Sequence, residues 1–399
     1  MKGLTTYKNI VIYAIELCLC YSVVNYALSK LELSGLPGVR YVDLLFLFLC
    51  CVIILLNVNK HQSSASKLLL SFAICCIPSL FAFDQYSLSF HNLTTLFIPF
   101  LSYQVGSIIS QQEGINKSRK YITFIVALVI VLVIAANQYT VNPMTIVAGR
   151  DFAFALIVLS SFLFLIKNRV LKIVLQILTL LVILISIKRS LILGLVLALV
   201  LYYFISIYWN KNYKLGTKMW LTLLIVILGY GVFTYMGTVQ DINDTIEERF
   251  TNMSEDGGSG RDYIYETIID KIEASSTSQL LFGHGYNAVT TKIFEHPAHN
   301  DVLEIMYDHG LIAVLIWLTF VLIIGYKAVR LIIKGEIEQG SIIISIWVMW
   351  VMTFFTNCIY VNSSLSAAFY LFFGLFDYQT INTNRYAISQ SASFRRAVQ

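Results

Sequence analysis

Runs of about 20 apolar residues recur along the whole chain, and they constrain its fold more than any other feature. A helix needs ~20 mainly apolar residues to cross the hydrocarbon core of a bilayer. Only segments whose backbone hydrogen bonds close internally persist there. On that scale the 399-residue chain carries twelve expected spans: 9–29, 41–58, 66–83, 89–110, 121–137, 151–167, 170–187, 190–208, 219–236, 310–327, 341–360 and 363–378. The expected fold class is an all-α polytopic membrane protein with about 12 transmembrane helices and one large external loop. The fourth and twelfth runs are the least marked. Apolar residues make up 57% of the chain and charged residues 13%, about half the charged share of a soluble domain.

The net charge of +5 says nothing about nucleic acid, and no nucleic-acid partner is expected. What counts is where each charge sits relative to the bilayer. With the N-terminus inside, the inner segments hold nineteen Lys and Arg residues and the outer segments nine, which places both termini in the cytoplasm and residues 237–309 outside. The expected division is 1–236 with spans one to nine, 237–309 as an external loop with short helices, and 310–399 with the last three spans and a cytoplasmic tail. The first run is too long for a signal-peptide core, and no cleavage site follows it. The seven cysteines lie in apolar runs and read as small packing residues. Lys188, Arg189 and Arg150 break the charge rule at the outer edge, so each needs an anionic ligand or a protein counter-charge.

The loop concentrates the titratable groups. Four of the six histidines (His284, His296, His299 and His309) and fourteen of the twenty-three carboxylates lie in 237–309, with only four bases. Within it, Gln240–Arg249 reads as a short polar helix. Arg261–Ala274 reads as a helix with Ile264, Ile268, Ile269 and Ile272 on one stripe, preceded by a break at Gly257–Gly260. Arg261 stands at the mouth of that helix, either as a functional cation or solvated and paired with Asp262 or Asp256.

The string His296-Pro297-Ala298-His299-Asn300-Asp301 follows. Pro297 pre-sets a helix start, so 298–309 is expected to be helical, with His299 in its first turn. The positive end of the helix dipole disfavours imidazolium there, and a neutral imidazole is what a general base requires. Asp301, Glu304 and Asp308 share a face at i, i+3 and i+7, expected to be a solvated acidic face for Glu304 and Asp308. His296, His299 and Asp301 offer metal-ligand atoms but lack the i, i+4 spacing of a helical zinc motif; no metal and no cofactor is assigned. Gly283-His284-Gly285 reads as a turn and not a phosphate loop.

These residues resemble the bacterial O-antigen ligases and the related O-antigen polymerases. His299-Asn300, nine residues, then Gly310 is similar to the family signature of His-Asn, nine residues, Gly, two residues, then Gly, Thr or Tyr; Ala313 departs from it at the last place. Ile187-Lys188-Arg189-Ser190 resembles the family's outer-edge arginine, Gly260-Arg261 its loop Gly-Arg, and Phe282-Gly283-His284-Gly285 its Phe-Gly-x-Gly turn. The resemblance implies a metal-independent membrane glycosyltransferase of the C type, in the bacterial inner membrane. Its donor is a sugar chain on undecaprenyl pyrophosphate. The acceptor is a second lipid-linked repeat unit in a polymerase, or the lipid A–core in a ligase.

The roles implied are His299 as catalytic base, with Arg189 and Arg261 on the pyrophosphate. Lys188 and Arg150 join them as basic residues of the same edge, and His296, Asn300 and Asp301 are supporting residues. Membrane lipid and a chain-length regulator protein complete the expected partners. Polymerase is preferred over ligase because Ala313 departs from the ligase signature and because the acidic loop would repel a phosphate-bearing lipid A–core. The rival from another class is a lipid-linked oligosaccharide flippase or transporter. It expects mid-membrane ionisable residues and internal repeats; Glu16 is the clear mid-span acid, and no repeat is visible.

Overall fold

The computed structural model describes residues 2–57, 63–81, 90–113, 122–141, 150–186, 188–209, 261–356, 360 and 362–377. The expected ninth span (219–236), the short helix 240–249, the break at 257–260 and the C-terminal tail lie outside the described residues. The described residues form helices and turns: α1 (Lys2–Lys30), α2 (Val39–Leu55), α3 (Ser64–Cys76), α4 (Phe90–Glu113), α5 (Ile122–Val141), α6 (Ala153–Ser160), α7 (Arg169–Ile185), α8 (Arg189–Tyr208), α9 (Arg261–Glu273), α10 (Thr277–Phe282), α11 (Asp301–Ile333), α12 (Ile337–Thr356) and α13 (Ser363–Leu375). Helices occupy eleven of the twelve expected span positions. Six are long and apolar enough to cross a membrane by length and composition, namely α1, α3 with the turn that follows it, α5, α8, α11 and α12. The architecture is that of an all-helical, membrane-embedded protein.

Local chemistry accounts for how the helices bury themselves. α6 is apolar on every side and every one of its residues is buried, as expected of a helix without a solvated or lipid-facing stripe. α7 is the reverse of a soluble amphipathic helix. Its apolar residues Val170, Val174, Ile177 and Leu181 are exposed, while Lys172, Gln176 and Thr179 are buried. Polar groups at helical spacing turn inward, and the apolar stripe is left for lipid.

The two least apolar runs solve their shortfall together. α13 packs along α4, and the two backbones nearly touch. A Cβ on Gly106 would sit 2.2 Å from the Leu371 carbonyl, and one on Gly374 would sit 2.1 Å from the Tyr103 carbonyl. Small residues that let backbones approach are how helices associate in lipid, where no hydrophobic force drives them. α11 packs on α12 and α3, α8 on α12, and α10 on α11. At the α11, α12 and α13 junction Trp317, Trp350 and Phe354 pack edge to face, and the Trp317 indole donates to the Tyr370 hydroxyl at 2.9 Å.

A smaller cluster of Ile264, Ile268, Ala288, Val289, Ala298 and Tyr307 seats α9 and the 288–298 segment on the first turns of α11. The expected isoleucine stripe of α9 is only partly right. Ile264 and Ile268 are buried and Ile272 packs against them, but Ile269 is 43% exposed. One step along a helix turns the side chain about 100°, out of the buried face.

Candidate functional site

The site is built around the start of α11. The expected helix over 298–309 begins later, at Asp301, with Asn300 as its N-cap. The Asn300 Oδ1 accepts from the backbone N–H of Val302 at 2.9 Å and of Leu303 at 3.2 Å. Two of the helix's open donors are thus closed by Asn300, and this decides the start over Pro297, three residues upstream.

His299 is therefore not in the first turn. It precedes the cap with φ 56°, in the left-handed region that few non-glycine residues occupy. Such backbone persists where the surroundings over-determine it, and it clusters at functional sites. Here the surroundings are specific. The Tyr265 hydroxyl of α9 donates to the His299 carbonyl at 3.2 Å, and the Ala298 N–H donates to Glu304 Oε2 at 2.6 Å.

The acidic face is likewise not solvated. Asp301 is 1% exposed, Glu304 0% and Asp308 2%. Each accepts a backbone N–H from another segment: Tyr360 on Asp301 Oδ1 at 3.0 Å, Ala298 on Glu304, and Val289 on Asp308 Oδ1 at 3.0 Å. A buried backbone donor must find a partner, and a carboxylate is a strong one. The i, i+3, i+7 spacing reads the same whether the face is wet or buried, so the packing partner decides it.

A kink separates this segment from the rest of α11. Gly310 adopts φ 82°, ψ 177° inside the helix, so 301–309 and the expected span from 310 form one run with a break. The carbonyls freed there are taken by the glycine turn. The His284 N–H donates to Tyr307 O at 2.8 Å and the Gly285 N–H to Asp308 O at 3.1 Å. Gly283 and Gly310 face each other: a Cβ on Gly283 would lie 2.1 Å from Asp308 O, and one on Gly310 would lie 2.4 Å from Leu281 O. The two glycine motifs read separately in the sequence are halves of one joint.

The four loop histidines divide in two. His309 is fully buried, with Nδ1 2.6 Å from Ser79 Oγ and Nε2 2.5 Å from the Tyr360 hydroxyl. His284 stacks on Tyr307 at 4.1 Å and meets Ser275 Oγ at 2.7 Å. Both are closed into the structure. His296 is exposed, and its ring lies 5.8 Å from that of half-buried His299.

Burial, then the positive charges of Arg261, Lys188 and His296, hold His299 down at a pKa of about 4, with Asp151 opposing. Residues 111 positions apart in sequence, Lys188 at the N-cap of α8 and His299, share one electrostatic neighbourhood with Arg261, the first residue of α9. Lys188 meets the expected need for a counter-charge: its Nζ lies 2.5 Å from Asp151 Oδ1 and 4.9 Å from the centre of the Phe154 ring. Lys30 reaches the same carboxylate at 3.8 Å.

Arg150 opens the turn before α6 and Arg189 is the first residue of α8; their side chains lie outside the described residues. Asp151 was missed in the sequence, although a signal existed. It is the only acid between Glu113 and Asp241, and it directly follows Arg150, one of the three basic residues that broke the charge rule. Among the described residues no three His, Cys, Asp or Glu side chains gather as a metal would require.

A neutral imidazole, half out of water and ringed by cations, can take a proton from a hydroxyl while an anion sits beside it. Residues 174–318, from α7 to the middle of α11, match the family described as O-antigen ligase. That stretch, a little over a third of the chain, is similar to the O-antigen ligase family. The match supports an O-antigen polymerase- or ligase-type, glycosyltransferase-like activity, and it takes in His299, Asn300, Arg261, Lys188 and both glycines of the joint. No curated protein matches the chain.

Proposed function

We propose that the protein is an O-antigen polymerase. It joins undecaprenyl-pyrophosphate-linked repeat units on the outer face of the bacterial inner membrane, with both termini cytoplasmic. The acceptor hydroxyl attacks the anomeric carbon of the donor sugar. The hydroxyl proton passes to the His299 imidazole. The bond to pyrophosphate breaks, and undecaprenyl pyrophosphate leaves with the electron pair. Arg261, Arg189, Lys188 and Arg150 supply the positive charge for the leaving group. His296, Asn300 and Asp301 support the base, Asn300 by capping α11 and Asp301 by tying it to Tyr360. No metal enters the step.

The observation that carries this reading is His299 itself, left-handed in backbone, half-buried, and kept neutral beside Arg261 and Lys188. Polymerase is preferred over ligase on Ala313, which stands where the ligase signature ends in Gly, Thr or Tyr. The charge argument for polymerase is weaker than the sequence suggests, because burial of Asp301, Glu304 and Asp308 leaves eleven loop acids against four bases. The ligase reading is favoured by the description of the matching family.

One gel separates the outcomes. A deletion strain carrying His299→Ala is expected to make no long polysaccharide and to accumulate lipid-linked single repeats, with protein levels unchanged. General-base catalysis contributes about 10²- to 10⁴-fold. A normal ladder from His299→Ala removes His299 from the mechanism. Lipid-bound polymer that never reaches the lipid A–core, on deletion of the whole gene, assigns the ligase function instead.

A further inference from the structure

At the far end of α7 and α8 from His299, a cavity of about 300 Å³ opens between the starts of α7 and α12 and the end of α8. α7 is 17 residues long, so at 1.5 Å per residue this cavity lies roughly 25 Å from the α7–α8 turn at Lys188. With Lys188 at the outer edge, it lies at the inner one.

Its lining is chemically unlike a gap between lipid-facing helices. Among the described residues that line it, Lys167, Arg169 and Lys172 bring three cations and Glu338 one carboxylate. Lys172 is 6% exposed. Its Nζ donates to the Tyr202 hydroxyl at 2.9 Å and lies 5.0 Å from the centre of that ring. A tyrosine hydroxyl and a ring face do not neutralise a buried ammonium.

Tyr203, also in the lining, donates to Gln176 Oε1 at 2.7 Å. The amide nitrogen of Gln176, one turn along α7 from Lys172 and 3% exposed, has no hydrogen-bond partner among the described residues. Leaving such a donor buried forfeits its hydration with nothing in return. The inward polar stripe of α7 thus ends in a cluster where, among the described residues, cations outnumber carboxylates and a buried amide donor is left over. Ile173, Ile207 and Ile337 border it with the apolar surface an acyl chain would follow.

We propose that this cavity is a binding site for a phosphate-bearing anion at the inner face of the membrane, the headgroup of an anionic phospholipid. Its volume lies at the lower bound of small-molecule pockets, which suits a headgroup whose tails lie outside along α7 and α8. Basic pockets between membrane helices on the cytoplasmic side take anionic headgroups by this chemistry. The site is separate from the one around His299 and does not depend on how that site is read.

The test is native mass spectrometry of the full-length protein in detergent, titrated with phosphatidylglycerol, with phosphatidylethanolamine or with inorganic phosphate. Phosphatidylglycerol is expected to remain bound at one copy. The occupancy is expected to fall at least fivefold in Lys167→Gln and in Lys172→Met, which keeps the apolar stem, and to stay unchanged in Lys334→Gln, outside the cavity. Size-exclusion profiles identify variants that fail to fold; Arg169→Gln is the substitute at the rim. If inorganic phosphate displaces the lipid with the same dependence on the variants, the anion site stands and its source is soluble phosphate. Equal retention of the two lipids, or equal phosphatidylglycerol binding by wild type and the cavity variants, overturns the proposal.

Discussion

At the scale of single residues, the chemistry depends on which histidine stays neutral and open. In His309 the tautomer follows from its partners: Ser79 Oγ donates to the Cys76 carbonyl at 2.7 Å, so it accepts from Nδ1–H, and Nε2 accepts from Tyr360. Such a ring has no lone pair left for a substrate. His299 does. Its pKa lies near 4, against about 6.5 for an unperturbed imidazole. Histidine titration followed by NMR is therefore expected to show the His299 ring neutral down to about pH 4. Arg261→Gln, which removes a positive neighbour, is expected to move the midpoint up; a midpoint near 6.5 that ignores the substitution would contradict the arrangement. Between about 6.5 and 4 the unfolded chain binds this proton and the folded chain does not, so stability falls as pH drops through that window and gains nothing above it.

At the scale of elements, the joint between Gly283 and Gly310 and the pairing of α11 with α13 make separate predictions. Both glycines have φ and ψ that essentially only glycine adopts, a backbone cost of about 1–3 kcal/mol for any other residue, and an added Cβ would also strike backbone. Gly335 has φ 87° but nothing within 4 Å of an added Cβ. Thermal unfolding in detergent is expected to show Gly283→Ala and Gly310→Ala far less stable than Gly335→Ala, and equal losses at all three would show that the joint bears no steric load. Lys327 of α11 pairs with the fully buried carboxylate of Asp377, just past α13, and Ser107 Oγ of α4 lies 3.4 Å from that carboxylate. Asp377→Ala is expected to cost about 3–5 kcal/mol by stranding the ammonium, and Lys327→Met with Asp377→Leu to recover most of it. A double variant no more stable than the single one would show that the pair holds the helices by geometry and not by charge balance.

At the scale of the whole molecule, one reporter fused after Lys271 and another after Lys334 test the sidedness on which both sites rest. The first is expected to be active only outside the cytoplasm and the second only within it; the reverse pattern would exchange the two faces. The positions of eleven of the twelve expected helices were legible because lipid demands long apolar runs, and such runs stand out in a sequence. His299, Arg261 and the glycine motifs were legible because spacing and order survive in one dimension. Other features were not. The three acids of α11 share a periodicity that fits either water or protein, and only the segments laid over them make them buried acceptors. The helix start moved because the Asn300 side chain reaches two N–H groups, a competition of geometries that no single residue announces. The two weakest apolar runs hold because Gly106 and Gly374 meet across 268 positions. The amino-acid sequence by itself determined the solvent in which this chain folds and the residue types available for chemistry. The tertiary structure alone decided which of those residues face one another, because burial and electrostatic field depend on neighbours distant in the chain.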